Sequence, residues 1–563
     1  MNLSDLQIRL KKFKLDAFLV SRNNLFIDQD IRDDENLIMQ LTGFTGSAGV
    51  LLIQPDKSFL FVDGRYELQA PRQTNPKEIT VICTTKISVH QWVAQNLQGK
   101  KIGYNPWCWS VQDILKFHQV EMKAESEFLP FLQSANKADV TEYSTEFCGQ
   151  TREEKVTNLA NHIAQNNLQA YFISSADSVS WLLNLRSNAL PETPVFRAFA
   201  LIDQQKHVWI FADSINTDKI NAKLTFLPIS EIPARLKKFK KQNLGADFET
   251  TAVALYELAS DYHINLCNTT DFCQISKAIK NECELQGIRR AHIRDGIAMC
   301  KFLYWLEHNW QGKTELDISA KLHEFRSKQK YFVSESFSTI AAFGSNGANI
   351  HYTPSSETNK LIEEGNLLLL DSGAQYKDGT TDVTRTIPIG TISPQMSEDF
   401  TLVLKSHIAL SAAIFPTNTT GARLDALARN VLWKEGKNYN HGTGHGVGCF
   451  LNVHEGPQYI SNSCNKAFSA GQITSIEPGY YLENQYGVRI ENLVEISSAQ
   501  YEGFLKFKNL TLVPIDSRAI NKYLLTDEER AWLNQYHSEV FKQISPHLNA
   551  AEKEWLEQSC APL

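Results

Sequence analysis

The stretch Gly365–Gly390, "GNLLLLDSGAQYKDGTTDVTRTIPIG", decides how this chain is read. Leu367–Leu370 run directly into Asp371. A second strand-like run holds Asp382, and Asp378-Gly379 between them is a turn signal, so the pair reads as a β-hairpin. With that turn, Asp382 falls opposite Gln375, and Asp371 shares its face by the two-residue period of a strand. On a flat ribbon four residues would still hold the two aspartates roughly 13 Å apart. They share a site only if the ribbon bulges or curls; otherwise each simply borders a turn. A carboxylate that closes a four-leucine strand needs a partner or a metal once buried.

Working outward, "GQITSIEPGYY" places Glu477 at a strand end, before Pro478. "YGVRIENLVEI" alternates: Val488, Ile490, Val494 and Ile496 mark one face, and Arg489, Glu491, Leu493 and Glu495 the other, as a surface strand also would. In "HGTGHGVG", His441 and His445 have helical spacing, but four glycines make a helix a poor fit, and a glycine-rich loop is the simple alternative. "NVHEGP" adds His454, and "NGANIHYTP" adds His351. No HExxH is present, which excludes a zincin helix. Asp371, Asp382, His445, Glu477 and Glu491 form an oxygen-dominated candidate ligand set, suited to Mn²⁺-like ions rather than to a thiolate zinc site. Four carboxylates balance two divalent cations better than one, so a dinuclear site is expected.

The chain is 563 residues long, which suggests several domains. With 42% hydrophobic and 21% charged residues it is globular, neither disordered nor coiled coil. A net charge of −7 gives no polybasic footprint for nucleic acid or anionic membrane. The 10 cysteines form no CxxC pair and read as free thiols of a reducing compartment. The N-terminus lacks the apolar core of a signal peptide, and no run is long enough to span a bilayer, so a soluble cytoplasmic protein is expected.

Short apolar strands such as "DAFLV", "GVLLI" and "KSFLFVDGRY", with helical stretches between them, suggest an α/β domain over residues 1–145. The polar segment around residues 125–150 reads as a linker. The pattern restarts over residues 146–280 as a second α/β domain of similar plan, without a fixed-period repeat. From residue 281, "ECELQGIRRAHIRDGIAMCKFLYWLEHNW" opens a third domain with a long amphipathic helix. Near the end, Thr526 and Glu529 have the spacing of a capping box for a final helix.

"LLLLDSGAQY", "TTDVTRT", "HGTGHGVG", "NVHEGP", "SIEPGYY" and "VRIEN", in this order, resemble the pita-bread metallopeptidases, and among them the three-domain, cytosolic type of Xaa-Pro aminopeptidase. "LTGFTGSAG", "FVDGRY", "VSWLLNLRSN" and "IRRAHIRDGIA" extend the resemblance over nearly the whole chain. It implies an α/β (α+β) fold class: two creatinase-like α/β domains followed by a pita-bread catalytic domain. It implies two divalent metal ions, manganese first with zinc or cobalt as alternatives, held by Asp371, Asp382, His445, Glu477 and Glu491. It implies a bridging hydroxide attacking the Xaa-Pro bond, with Glu477 as general base. His351, His441 and His454 would serve catalysis and substrate binding, and Arg489 would support the site. The implied partners are peptides with proline second and another copy of the chain, in a homodimer. A prolidase or a catalytically silent peptide-binding relative are the alternatives.

Overall fold

A computed structural model describes residues 2–27, 30–129 and 137–563. The chain folds as two compact units, one of residues 1–145 with 150–275, the other of residues 146–149 with 276–563.

The first unit holds two six-stranded sheets. In the first sheet Ala17–Ser21 is central. On one side lie Val50–Ile53, Ser58–Val62 and Ile79–Cys83, joined antiparallel, antiparallel and parallel. On the other side lie Lys101–Tyr104 and Glu121–Ala124, both joined parallel. In the second sheet Ala170–Ile173 takes the central place. Phe199–Asp203, Val208–Phe211 and Thr225–Leu227 follow it with the same three senses, and Asn243–Ala246 and Asn265–Asn268 join parallel opposite. The likeness of plan expected from the sequence is thus a strand-for-strand repeat of connectivity. The first sheet is buried on both faces: Phe18 packs with Leu6 and Phe128, while Leu19 packs with Phe61, Val93 and Ile102.

The expected linker is not structureless. Ala138–Glu142 is the middle strand of a three-stranded sheet, between Leu185–Ser187 and Ile215–Lys219. Its polar side chains hid it, since they give no apolar period to read, while strands pair with it on both edges. Residues 130–136 of that segment lie outside the described residues.

The second unit opens with the expected long helix, Glu282–Asn309. Asn281 caps it reciprocally with Glu284. Leu285, Ile288, Ala291, His292, Asp295, Met299, Phe302 and Leu306 form its buried stripe. A helix over Glu315–Ser327 packs beside it. The helices Pro394–Ser411 and Gly421–Trp433 form a second packed pair. A six-stranded sheet runs in the order Ile414–Pro416, Phe504–Asn509, Asn492–Ser498, Ile473–Ile476, Gly444–Gly446, Glu455–Ile460. The helix capped by Thr526 and Glu529 spans Asp527–Ile544, and a further helix, Ala550–Ser559, follows it.

The hairpin that decided the reading differs in register. Asn366–Ser372 pairs with Val383–Ile389, so that Asp371 faces Thr384 and Ser372 faces Val383. Nearer the tip, Gln375 faces Thr380 and Tyr376 faces Gly379, so the two turn residues are Lys377 and Asp378. Asp382 is therefore opposite Gly373, not Gln375. The aspartates become diagonal neighbours, a spacing of roughly 7–8 Å between Cα atoms that carboxylates can close. The ribbon also passes from one three-stranded sheet to another at this point. A Cβ on Gly373 would lie 2.0 Å from the Thr381 carbonyl oxygen, so only glycine permits the crossing.

"YGVRIENLVEI" is not one surface strand. It divides into Tyr486–Arg489, paired with Gly479–Leu482, and Asn492–Ser498, paired with Ile473–Ile476 and Phe504–Asn509. Both faces are covered: Arg489, Glu491 and Glu495 are as buried as Val488 and Val494. The charges survive burial because Arg489 meets Asp371 and Glu495 meets Arg289.

Candidate metal centre and active site

Five predicted residues converge from separate elements. Asp371 is the last residue but one of the Asn366–Ser372 strand, and Asp382 follows the hairpin tip. His445 is the middle residue of the Gly444–Gly446 strand. Glu477 follows Ile473–Ile476, its N–H donating to the Thr443 carbonyl at 2.8 Å. Glu491 lies between the two strands of its segment, its N–H donating to the Thr384 carbonyl at 3.1 Å. One ligand atom each from Asp382, His445 and Glu491 lie within 4.8 Å of one another. His445 Nε2 lies 3.5 Å from both Asp382 Oδ2 and Glu477 Oε1.

His445 is oriented for this role. Its Nδ1–H donates to the Gly446 carbonyl at 2.9 Å, which leaves the Nε2 lone pair facing the carboxylates. The glycines Gly444 and Gly446 act through packing against neighbouring strands, not through unusual backbone angles. Neither Gly444 nor Gly446 has a positive φ. A Cβ on Gly444 would lie 2.0 Å from the Ser475 carbonyl oxygen, and one on Gly446 2.2 Å from that of Glu455.

The electrostatics are those of crowded, dehydrated acids. Burial, then the charges of Asp371 and Glu477, pushes the Asp382 carboxyl well above its usual range. Burial, then Asp382, Glu477 and Asp371, does the same to Glu491. Burial also raises Glu477, against the opposing pull of His445 and Arg489. Three oxygens, Asp371 Oδ1, Asp382 Oδ1 and Glu491 Oε1, are buried without a hydrogen-bond donor. Such atoms are costly unless a cation meets them. Four carboxylates, one imidazole lone pair and these three oxygens fit divalent metal ions.

Of the remaining predicted residues, Arg489 and His454 touch this cluster, and His441 joins it through Tyr481. Arg489 Nη2 donates to Asp371 Oδ2 at 2.6 Å. The His445 and His454 rings lie 4.3 Å apart between centroids. His441 donates from Nδ1 to the Gly442 carbonyl at 2.7 Å, and its Nε2 accepts from the Tyr481 hydroxyl at 2.9 Å. His351 is held by its neighbours: the Ile350 carbonyl accepts from Arg489 Nη1 at 3.3 Å.

Sequence reasoning missed two partners. The Tyr481 hydroxyl accepts from Arg489 Nη1 at 2.8 Å while donating to His441, so it links the Asp371 side of the centre to His441. Arg429 donates to the His441 carbonyl at 2.6 Å and pairs with Asp425 at 2.7 Å, fixing the segment before the glycines. Tyr481 was visible inside "SIEPGYY"; nothing local marked Arg429.

Comparison with known proteins agrees with this geometry. Residues 286–498 match metallopeptidase family M24, and residues 503–563 match the C-terminal region of that peptidase. Residues 3–137 and 132–284 each match a creatinase/prolidase N-terminal domain, consistent with the repeated sheet. Aminopeptidase P2 of Arabidopsis thaliana is 34% identical over 98% of this chain and 86% of its own. A probable Xaa-Pro aminopeptidase P of Paracoccidioides lutzii is 34% identical over 98% of this chain and 97% of its own. The chain belongs to metallopeptidase family M24, in its Xaa-Pro aminopeptidase branch. The crystal structure of X-prolyl aminopeptidase from Caenorhabditis elegans, a cytosolic enzyme with a di-nuclear active site, matches with a TM-score of 0.93 and 31% identity, covering 100% of this chain and 99% of that one. A prolidase from Thermococcus sibiricus shares the fold over 65% of this chain and 98% of its own, with a TM-score of 0.54 and 23% identity. The catalytic part is therefore a pita-bread domain. Among the described residues, no helix is long and apolar enough to cross a membrane.

Proposed function

We propose that this chain is a metal-dependent aminopeptidase that hydrolyses the bond between an N-terminal residue and a following proline. The carrying observation is the convergence of Asp371, Asp382, His445, Glu477 and Glu491, with three buried carboxylate oxygens lacking a donor. Those five residues would hold two divalent ions, a number that the di-nuclear Caenorhabditis elegans relative supports, and their oxygen-dominated donors favour manganese before zinc or cobalt. When bound, the ions supply Lewis acidity and a water ionised near neutral pH.

Glu477 takes the proton from the attacking water and returns it to the prolyl nitrogen, which carries no hydrogen of its own and must gain one to leave. Its side chain is 19% exposed, against 6% for Asp382 and 11% for Asp371, so it is the carboxylate best able to exchange a proton with substrate. His351 and His454 donate to the substrate carbonyl oxygen as it gains charge. His441, held by Tyr481, lines the wall against the proline ring. Arg489 offsets the charge of Asp371.

On the same reading residues 1–145 and 146–280 are creatinase-like domains preceding a catalytic domain over 281–563. The protein works in the cytoplasm as a homodimer, on peptides rather than nucleic acid or membrane.

The test is cleavage of paired Xaa-Pro-Yaa tripeptides and Xaa-Pro dipeptides, after chelation and again after addition of Mn²⁺. Tripeptide cleavage that disappears on chelation and returns with Mn²⁺ is expected. Cleavage of dipeptides alone would make the chain a prolidase. No cleavage at full metal content would make it a peptide-binding relative.

A further inference from the structure

Glu315 is the first residue of the Glu315–Ser327 helix, and its side chain is fully buried. Its carboxylate is a hub for the segment that carries His351. Oε1 accepts from the Phe343 N–H at 2.7 Å and from Asn346 Nδ2 at 3.0 Å. Oε2 accepts from the Tyr352 hydroxyl at 2.7 Å, the Lys360 N–H at 3.0 Å and Asn346 Nδ2 at 3.0 Å. Each of these donors is neutral. A buried carboxylate met by neutral donors at the positive end of a helix is held by geometry rather than by ion pairing.

Those donors bracket one short excursion. Phe343 ends the strand Ile340–Phe343, Asn346 sits in the 3₁₀ turn Gly344–Ala348, and Tyr352 directly follows His351. Asn346 and Tyr352 also reach the Thr358 carbonyl, at 3.1 and 3.0 Å, which draws in the returning limb. On the other side of His351, the Ile350 carbonyl accepts from Arg489, the residue that holds Asp371. The turn also meets the Arg489 strand by backbone: a Cβ on Gly487 would lie 1.8 Å from the Gly347 carbonyl oxygen. His351 thus hangs between two anchors, Arg489 before it and Glu315 after it. The metal-ligand candidates all lie on other segments.

We propose that Glu315 is a positioning residue that sets His351 against the reacting carbonyl, through Tyr352 and Asn346. This rests on the reading of His351 given above. Glu315→Gln preserves size but presents an amide N–H₂ to a site built of donors. Misplacing a catalytic group by about 1 Å can cost about 100-fold.

The experiment is a double-mutant cycle on Glu315→Gln and His351→Ala, with metal content measured on each protein. Glu315→Gln is expected to lower kcat/KM by about 10- to 100-fold at wild-type metal content, chiefly through kcat, and to add almost nothing to His351→Ala. Multiplying losses in the double variant, or metal loss in Glu315→Gln, overturns the proposal and leaves the role of His351 standing. Full activity in His351→Ala alone instead overturns the reading of His351, and the proposal with it. If Glu315→Gln does not accumulate, Tyr352→Phe removes one hydroxyl from the same hub and takes its place in the cycle, where a loss independent of His351 is again the overturning result.

Discussion

Two sets of buried acids within the second unit make opposite use of burial. Asp295 is fully met: Arg326 donates to both its oxygens at 2.9 and 3.1 Å, and the Tyr376 hydroxyl donates at 3.0 Å. Glu315 is met by five hydrogen bonds. Asp371, Asp382 and Glu491 are just as dry, yet each keeps an oxygen that no donor reaches. Burial alone therefore does not mark a metal site, because a fold can satisfy an acid completely when it needs only a strut. The mark is an acid that the fold has dehydrated and then left open with no cationic side chain at the open oxygen, unlike Asp378 and Glu455, whose open oxygens face Arg290 and Lys277. Asp295 serves the open set indirectly: its partner Arg326 also donates to the Ser372 and Gly373 carbonyls, where the ribbon crosses between sheets.

The largest expected effect lies in the more exposed acid beside the open set. Glu477→Gln removes the proton acceptor but keeps the shape, and should lower kcat by about 1,000-fold or more while metal content and thermal midpoint stay near wild type. Activity assayed beside metal analysis checks this. Retention of most turnover would show that Glu477 only holds metal.

Next comes a contrast in stability between one acid from each set. Asp295→Asn leaves Arg326 buried without its counter-charge and should cost about 3–5 kcal/mol. Asp382→Asn removes a carboxyl whose ionisation its neighbours already oppose, so the metal-free protein should be unchanged or more stable. Denaturant unfolding of chelated proteins measures both. Equal destabilisation would erase the distinction between the sets.

Much of the metal centre was legible because its residues sit in compact motifs. Glu477, Glu491 and His445 were each marked by a proline, an alternation or a run of glycines. The fully met set was not, because its pairs are remote: Arg326 is 31 residues from Asp295, and Tyr352 is 37 from Glu315. The repeated α/β plan was legible from alternating strands and helices, but its strand order was not, since side-chain period does not say which neighbour a strand takes. The hairpin failed by one turn residue. Asp378-Gly379 is a good turn pair, but Arg294 pairs with Asp378 in the second turn position, and Gly379 packs against Ile288 and Ala291 of the long helix. Tertiary packing moved the turn, and that shift brought the two aspartates within reach of each other.

The smallest expected effect extends the comparison to buried bases. His407 is satisfied as a neutral ring, and His537 accepts one hydrogen bond while its Nδ1 is buried without a partner. His407 Nδ1–H donates to the Ile476 carbonyl at 3.1 Å and Nε2 accepts from Ser411 at 3.2 Å; His537 Nε2 accepts from the Ile515 N–H at 3.1 Å. Burial, then the nearby Arg385 charge, lowers their pKa values to about 3 and about 4. A base whose folded pKa lies below its unfolded value near 6.5 binds its proton more readily unfolded. Stability from each ring is thus complete above about pH 6.5 and is lost as pH falls from there towards the folded value. Each contributes a slope of about 1.4 kcal/mol per pH unit in that window. His537→Gln keeps an acceptor for the Ile515 N–H without a titrating group. It should flatten the fall in unfolding free energy between pH 6 and pH 4 by one proton's worth, measured by urea denaturation of the metal-free protein. An unchanged slope would mean that His537 titrates freely, and that the fold does not hold this ring neutral.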